Sequence, residues 1–401
     1  MYYKTYKFFN QSTRQAMFER VKGYVNKFSS VEVEIQRLKI EYNLDKIYRF
    51  DLGENMDGFS PEIKKFLGNI TQKDDHFLNL NRYPDVTHDV LKKRIAGKFD
   101  ISVNWIVLST GLDSLLDLVT RVFFEDKDIY LMPVPSFFLF EDYSERMGAI
   151  PVFMQLKEND NFAWNKECTK KFKDQIIKFR PKIIWISNPN NPTGQIIPRR
   201  ILKDIIELAY SYHAFVVIDE AYGEYMGISK KFSAAKFLYK FHNIIILRTF
   251  SKAYGLAGIR LGYLMCSSSD IIEALLLHRH HFPATHLSLS LADIALQDNN
   301  FINQTRKITK ERVNKLHKQL DELKSFKYIP TYSNIFMLKN HHLNYFELDN
   351  MFKKKGIITS NLNITGIKQN NYVRITIRKE EDNNYFFNVC KEIDNEIKIK
   401  T

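Results

Sequence analysis

The chain has 401 residues, 44% hydrophobic and 26% charged, the composition of a globular protein long enough for two domains. It contains no run of about 18 uncharged apolar residues, so neither a transmembrane helix nor a membrane partner is expected. The formal charge of +13 is dispersed without a block of like charges, which argues for a lysine-rich surface and against nucleic-acid binding.

Residues 1–48 read as a basic, helical N-terminal extension in which MFERVKGYVNKF is amphipathic, and the stretch MYYKTYKFFNQSTRQ lacks the apolar core of a secretory signal. Cys168, Cys266 and Cys390 are few, odd in number and widely separated, as in a reducing compartment, so a cytoplasmic location is expected. Short apolar runs then follow: WIVLS (105–109), DIYLMPV (128–134), AIPVFMQL (149–156), KIIWIS (182–187), AFVVIDE (214–220), NIIILRTFS (243–251) and GYLMCS (262–267). Several lack alternation, which predicts strands buried on both faces of a mostly parallel sheet. Helix-like segments such as 112–124, 136–148 and 199–212 lie between them, so the middle of the chain is expected to be α/β with helices on both faces. Residues 270–325 read as long helices, and IFML (335–338) and YVRITI (372–377) as strands of a smaller α+β unit. No CxxC or HExxH occurs, and the pairs His280-His281 and His341-His342 have no matching ligand group, so no metal site is expected.

Ligands of doubly wound sheets bind beyond the carboxyl ends of the strands, so the residues after each predicted strand carry the chemistry. STGLDS (109–114) turns into a helix whose first amides suit a phosphate, although strand-to-helix turns of this kind are also common without a ligand. NPNNPTG (188–194) is too rich in proline for regular structure and fixes a turn. Asp219 ends a buried run in Asp219-Glu220-Ala221-Tyr222. Such a carboxylate must be paired or neutralised, either by a protonated ring nitrogen or as a helix cap. Finally, RTFSKAYGLAGIRLG (248–262) sets Lys252 between Ser251 and a glycine-rich turn. A desolvated lysine near other cations has a lowered pKa and attacks carbonyls; a solvated lysine beside a flexible turn is the alternative reading.

In this order the blocks STGLDS, NPNNPTG, DEAY, RTFSKAYGLAGIRLG and YVRITI resemble the class I/II aminotransferases of fold type I. With RYPD (82–85) they look most like the histidinol-phosphate aminotransferase branch, over roughly residues 45 to 380. The resemblance implies a three-layer α/β/α large domain with a mostly parallel sheet at residues 81–284. The smaller α+β domain would be built from both termini, residues 49–80 and 285–401. It also implies pyridoxal 5′-phosphate as cofactor, an amino acid and a 2-oxo acid as substrates, and a homodimer.

Carried over residue by residue, Lys252 would form the Schiff base and shuttle the substrate proton, and Asp219 would hold the pyridine nitrogen protonated. Asn191 and Tyr222 would hydrogen-bond the ring oxygen, and Phe137 would stack on the ring. The backbone of Leu112 and Asp113, the hydroxyls of Thr249 and Ser251, and Arg260 would hold the phosphate, joined by Tyr83 from the neighbouring subunit. Arg374 would grip the substrate carboxylate, with Asn55 in the substrate segment Gly53-Glu54-Asn55-Met56.

The departures from the family pattern concern substrate. The stretch GIITSNLN (356–363) lacks the basic residue with which the histidinol-phosphate enzymes meet substrate phosphate, which weakens that assignment unless Arg378, standing where a glycine is usual, compensates. No Pro-Tyr pair occurs before residue 50. An aminotransferase is therefore the leading expectation. The alternative is a pyridoxal-phosphate decarboxylase resembling the threonine-phosphate enzymes, because the same ring and lysine serve either bond cleavage.

Overall fold

The structure, a computed structural model, describes residues 31–70, 81–226, 232–362 and 371–400. In chain order the elements begin with helix α1 (Val31–Tyr42), strand β1 (Tyr48–Arg49), and helices α2 (Pro61–Ile70) and α3 (Asp89–Phe99). Then β2 (Ile106–Ser109), α4 (Gly111–Phe123), β3 (Ile129–Val134), α5 (Phe138–Arg146), β4 (Ile150–Gln155), α6 (Lys166–Phe179), β5 (Ile183–Ser187) and α7 (Arg199–Ser211) alternate. They are followed by β6 (Phe215–Asp219), β7 (Ile244–Thr249), β8 (Gly262–Met265), and helices α8 (Ser269–His278), α9 (His286–Gln297) and α10 (Asn299–Leu320). The chain closes with β9 (Phe326–Tyr328), β10 (Ile335–Asn340), α11 (Tyr345–Lys354), β11 (Ile357–Ile358), β12 (Ser360–Asn361), β13 (Tyr372–Thr376) and α12 (Glu380–Lys400).

Seven strands form one sheet in the order β2-β8-β7-β6-β5-β3-β4. All neighbours in it are parallel except the pairs that β8 makes with β2 and β7. The unbroken apolar runs have their physical reason here. Along β5, β6 and β7, Ile184, Ile186, Val216, Ile218, Ile244 and Ile246 point into a core beneath α3, α6, α7 and α9. The intervening Ile183, Trp185, Val217, Ile245 and Leu247 point into a second core beneath α4, α5 and α8. Two buried faces favour apolar side chains up to the strand ends, where the polar residues stand, and each fully buried Ile or Leu contributes roughly 1.5–3 kcal/mol. The result is the expected mostly parallel sheet between helical layers.

A four-stranded antiparallel sheet, β12-β13-β10-β9, packs with α10, α11 and α12 around a third core that includes Phe336, Leu338, Val373 and Phe386. Strand β1 pairs in parallel with β11 at Tyr48↔Ile357 and Arg49↔Ile358 in a separate two-stranded sheet, which ties the segment before residue 50 to the strand that follows α11. From that anchor the chain runs through residues 51–58 toward the larger sheet.

Helix α1 lies inside the predicted N-terminal extension, while residues 1–30 lie outside the described residues. The long helical stretch expected over 270–325 is three helices, broken at 279–285 and capped at Asp298, whose side chain accepts from the Phe301 amide at 2.9 Å. Among the described residues no helix is long and apolar enough to cross a membrane.

Candidate active site

Four strand ends meet at one edge of the large sheet. Ser187 stands beside Asp219 and Asp219 beside Leu247, while Ser109 and Thr249 are both registered opposite Gly262. Loops leaving these ends are the natural site of a doubly wound sheet.

Asp219 terminates β6 and is buried. Its carboxylate accepts one hydrogen bond, from the Ala221 amide at 2.8 Å, and makes no ion pair among the described residues. Burial pushes its pKa up to about 7, against the opposing charge of Lys252. A carboxyl left in this condition lacks a cation.

The neighbouring residue behaves in the opposite way. Glu220 accepts from Nη2 and Nε of Arg248 at 2.6 and 2.9 Å, and Glu224 accepts from Arg248 Nη1 at 2.6 Å. All three side chains are buried, and Ser233 and the Ala234 amide complete the shell of Glu220. Burial works against the Arg248 charge, but the two carboxylates more than offset it and raise its pKa. This cluster lies directly behind the site, since Glu220 follows Asp219 and Arg248 precedes Thr249. It was not singled out from the sequence, although a lone arginine at the end of an apolar run was the available signal.

Lys252 is half-buried; its ammonium donates to the Leu52 carbonyl at 2.9 Å and lies 5.4 Å from the centre of the Tyr222 ring. Gly53, at φ +65°, brings its backbone so close that a Cβ would meet Tyr222 Oη at 2.7 Å and Lys252 Nζ at 3.4 Å. The acceptor and this close approach were also missed, because they join residues 200 positions apart. Asn55 donates to the Ala253 carbonyl at 2.9 Å, which pins the same segment onto the lysine turn.

Asn191 is buried in the NPNNPTG loop, its amide held by Ser187 Oγ at 3.2 Å. Its Oδ1 accepts from Arg374 Nη1 at 2.8 Å, and Arg374 Nη2 donates to the Asp51 carbonyl. Arg374 Nε is buried without a hydrogen-bond partner among the described residues. The structure thus brings Lys252, Tyr222, Asn191, Arg374 and Asn55 into one bonded neighbourhood.

The other expected residues ring this group. Thr249 Oγ1 donates to Ser251 Oγ at 3.0 Å and accepts from the Ser251 amide at 3.1 Å. Arg260, at φ +49°, reaches over the start of α4: its Nη2 is 3.9 Å from Asp113 and 2.8 Å from where a Cβ of Gly111 would lie. Leu112 follows in the first turn of that helix. Phe137 is half-buried at the start of α5, edge-on to Phe138 and Phe140 with centroids 5.4 and 5.6 Å away. Tyr83 stands apart: it is 78% exposed and stacks on Phe282 at 4.3 Å. Arg378, which could have replaced a missing phosphate ligand, is buried and committed elsewhere, to Asp382 at 2.9 Å and the Arg49 carbonyl at 2.6 Å.

Comparison with known proteins gives these features a context. The family model for class I and II aminotransferases matches residues 53–389. A histidinol-phosphate aminotransferase of Caldicellulosiruptor saccharolyticus is 33% identical over 362 residues, which are 90% of this chain and 95% of that one. The crystal structure of a histidinol-phosphate aminotransferase from Sinorhizobium meliloti in complex with pyridoxal-5'-phosphate superposes with a TM-score of 0.79 at 19% identity, covering 95% of this chain and 99% of that one. An L-threonine-O-3-phosphate decarboxylase from Porphyromonas gingivalis shares the fold at a TM-score of 0.70 and 18% identity, covering 86% and 99%.

Proposed function

The chain belongs to the class I and II aminotransferase family and is a pyridoxal-phosphate-dependent aminotransferase, and on that premise we propose that Lys252 carries the cofactor while Arg374 receives the carboxylate of an amino acid. When bound, pyridoxal phosphate supplies an aldehyde and an electron-withdrawing ring that stabilises negative charge at the substrate Cα. The residues present fit such a group. Asp219 is a carboxyl pushed up to about 7 by burial, and a protonated ring nitrogen would supply a cation in contact with it.

In this reading Asp219 holds the proton at the ring nitrogen. Lys252, whose Nζ donates to the Leu52 carbonyl, would hold the cofactor through its amine and would move the proton at the substrate Cα. Asn191, whose Oδ1 is engaged by Arg374, keeps its Nδ2 donor for the ring oxygen, and Tyr222 Oη supports the same atom. The start of α4, with Leu112 and Asp113, together with Thr249, Ser251 and Arg260, forms the phosphate cradle, where helix amides and a guanidinium favour an anion. Phe137 covers the ring face, and Asn55 orders the substrate segment over the lysine turn.

The observation that carries the substrate class is Arg374, fixed by Asn191 and the Asp51 carbonyl with its Nε unspent, a preorganised receptor for a carboxylate. The relatives' names put forward histidinol phosphate, an amine with a phosphate and no carboxylate. The internal commitment of Arg378 favours a carboxylate-bearing donor over it. The test is a half-reaction. The purified holoenzyme is mixed in turn with a panel of amino acids and with histidinol phosphate, and loss of the visible absorption of the lysine-bound cofactor is followed. Conversion by an amino acid and not by histidinol phosphate is expected; the reverse preference overturns the substrate reading, and a colourless protein with added cofactor overturns the role of Lys252.

The same reading assigns residues 81–284 to the cofactor-binding domain, 49–80 and 285–401 to the small domain, and residues 1–48 to an extension. It makes the enzyme a homodimer: Tyr83, Phe282, Val86, Val90 and Leu277 are large apolar side chains left exposed, and Tyr83 would cross to the neighbouring site. Three buried free cysteines support a reducing, cytoplasmic setting.

A further inference from the structure

Glu158 opens a single 3₁₀ turn, Glu158–Asp160, beyond the end of β4 in the large sheet. Three residues of the small sheet meet its carboxylate, all at Oε1. Lys339 donates a hydrogen bond to it, Tyr372 Oη donates at 3.1 Å, and the Lys327 ammonium lies 3.7 Å away. They come from one rung of three neighbouring strands, since Lys327 of β9 is registered with Lys339 of β10, and Lys339 with Tyr372 of β13. Registered residues share a face. That face is turned to the large domain: Ile335, Met337 and Tyr372 belong to the large-sheet core, whereas Phe336, Leu338, Val373 and Ile375 belong to the core of the small domain. Tyr372 also packs edge-on to Phe162, just after the Glu158 turn, with ring centroids 5.8 Å apart. Burial works to raise the Glu158 pKa, but the hydrogen bond and charge of Lys339, the Tyr372 hydroxyl and Lys327 outweigh it and lower the value, so the carboxylate is ionised at neutral pH.

Arg374 stands two residues along β13 from Tyr372, on the same face and registered with Met337. At the rise of a strand it is about 7 Å from the Glu158 contact. We propose that Glu158 is a positioning residue for the substrate anion: by holding the start of β13 against the large domain, it sets where Arg374 stands relative to Lys252. The inference rests on the reading of Arg374 as the carboxylate receptor. Asn191 and the Asp51 carbonyl fix the guanidinium, but the strand that carries it belongs to the other sheet. Glu158 and Tyr372 hold the two sheets in register at that point, and a displacement of about 1 Å is enough to spoil a bidentate grip.

The test mixes the holoenzyme with aminooxyacetate or with O-methylhydroxylamine, which displace Lys252 from the cofactor through the same aminooxy group but differ by a carboxylate. The ratio of their second-order rate constants, followed by loss of the visible absorption, isolates the carboxylate grip. Glu158→Gln and Tyr372→Phe are each expected to lower this ratio by about three-fold or more, to leave the rate with O-methylhydroxylamine unchanged, and to have no further effect once Arg374 is replaced by Ala. In the cofactor-free protein, the losses of the two variants in urea unfolding are expected to be non-additive, as for one shared contact. An unchanged ratio in either variant, equal slowing with both nucleophiles, a further fall in the Arg374→Ala background, or additive unfolding losses overturns the proposal. A wild-type ratio near one, or one that Arg374→Ala leaves intact, overturns the carboxylate reading and the proposal with it. Should one variant fail to fold by thermal melting, the rate ratio of the other decides alone.

Discussion

Arg374 donates a hydrogen bond to Asn191 Oδ1 at 2.8 Å, linking a strand of the small sheet to the proline-rich loop of the large one. One side chain thereby meets both the expected substrate anion and the amide expected to touch the cofactor ring. On the proposed roles, substrate grip and ring electronics would be coupled through it.

Replacing Arg374 by Ala is expected to lower kcat/KM for a carboxylate donor by ten- to a hundred-fold or more, since hydrogen bonds to charged groups are worth about 1.5–3 kcal/mol. It should also shift the absorption of the lysine-bound cofactor, because Asn191 Oδ1 loses its donor. Steady-state kinetics and a spectrum of the resting enzyme check this. An altered KM with an unchanged spectrum would show that the two functions are independent.

Asp219 sets a pH dependence. In the cofactor-free protein its pKa is raised to about 7, so the folded state holds a proton that the unfolded state releases near 4. Stability from this group is complete below about pH 4 and is lost as pH climbs to 7, at roughly 1.4 kcal/mol per unit. Asp219→Asn should flatten that part of the pH–stability curve in the apoprotein, measured by urea unfolding. It should also weaken cofactor retention in the holoenzyme.

Arg248 carries a structural prediction. Arg248→Met leaves Glu220 and Glu224 buried without their cation, and breaking such a cluster costs roughly 3–5 kcal/mol. The urea midpoint should fall accordingly. Adding Glu220→Gln and Glu224→Gln to that variant should restore part of the loss, because no uncompensated charge then remains.

Two glycines of the lysine turn should respond differently. A Cβ at Gly255, which sits at φ +69°, would fall 1.8 Å from the Gly58 carbonyl oxygen, whereas one at Gly258 meets nothing within 4 Å. Gly258→Ala is expected to leave the melting temperature and activity near wild type. Gly255→Ala must push the 53–58 segment off the turn, lowering both.

The sheet was legible in the sequence because β5, β6 and β7 are buried on both faces, so their apolar runs carry no interruption. Asp219, Asn191 and Lys252 were legible because each follows such a run directly, and chemistry at strand ends is a rule of the fold. What escaped was what crosses the chain. The Leu52 carbonyl under Lys252 is a backbone atom with no signature of residue type, and Gly53 looks like any glycine until Tyr222 packs against it. Arg378 illustrates the opposite failure: its charge invited a ligand role, but Asp382, four residues on in α12, and the Arg49 carbonyl had already claimed it.

The pairing of β1 with β11 spans about three hundred residues, and the segment it anchors supplies the Leu52 carbonyl, Gly53 and Asn55. Contacts of such separation form late, after the local βα units have collapsed. Uptake of cofactor in its final spectroscopic form should thus lag behind recovery of secondary structure on refolding, and a fragment ending before β11 should never reach it. The cofactor becomes a timer for the arrival of the chain's two ends.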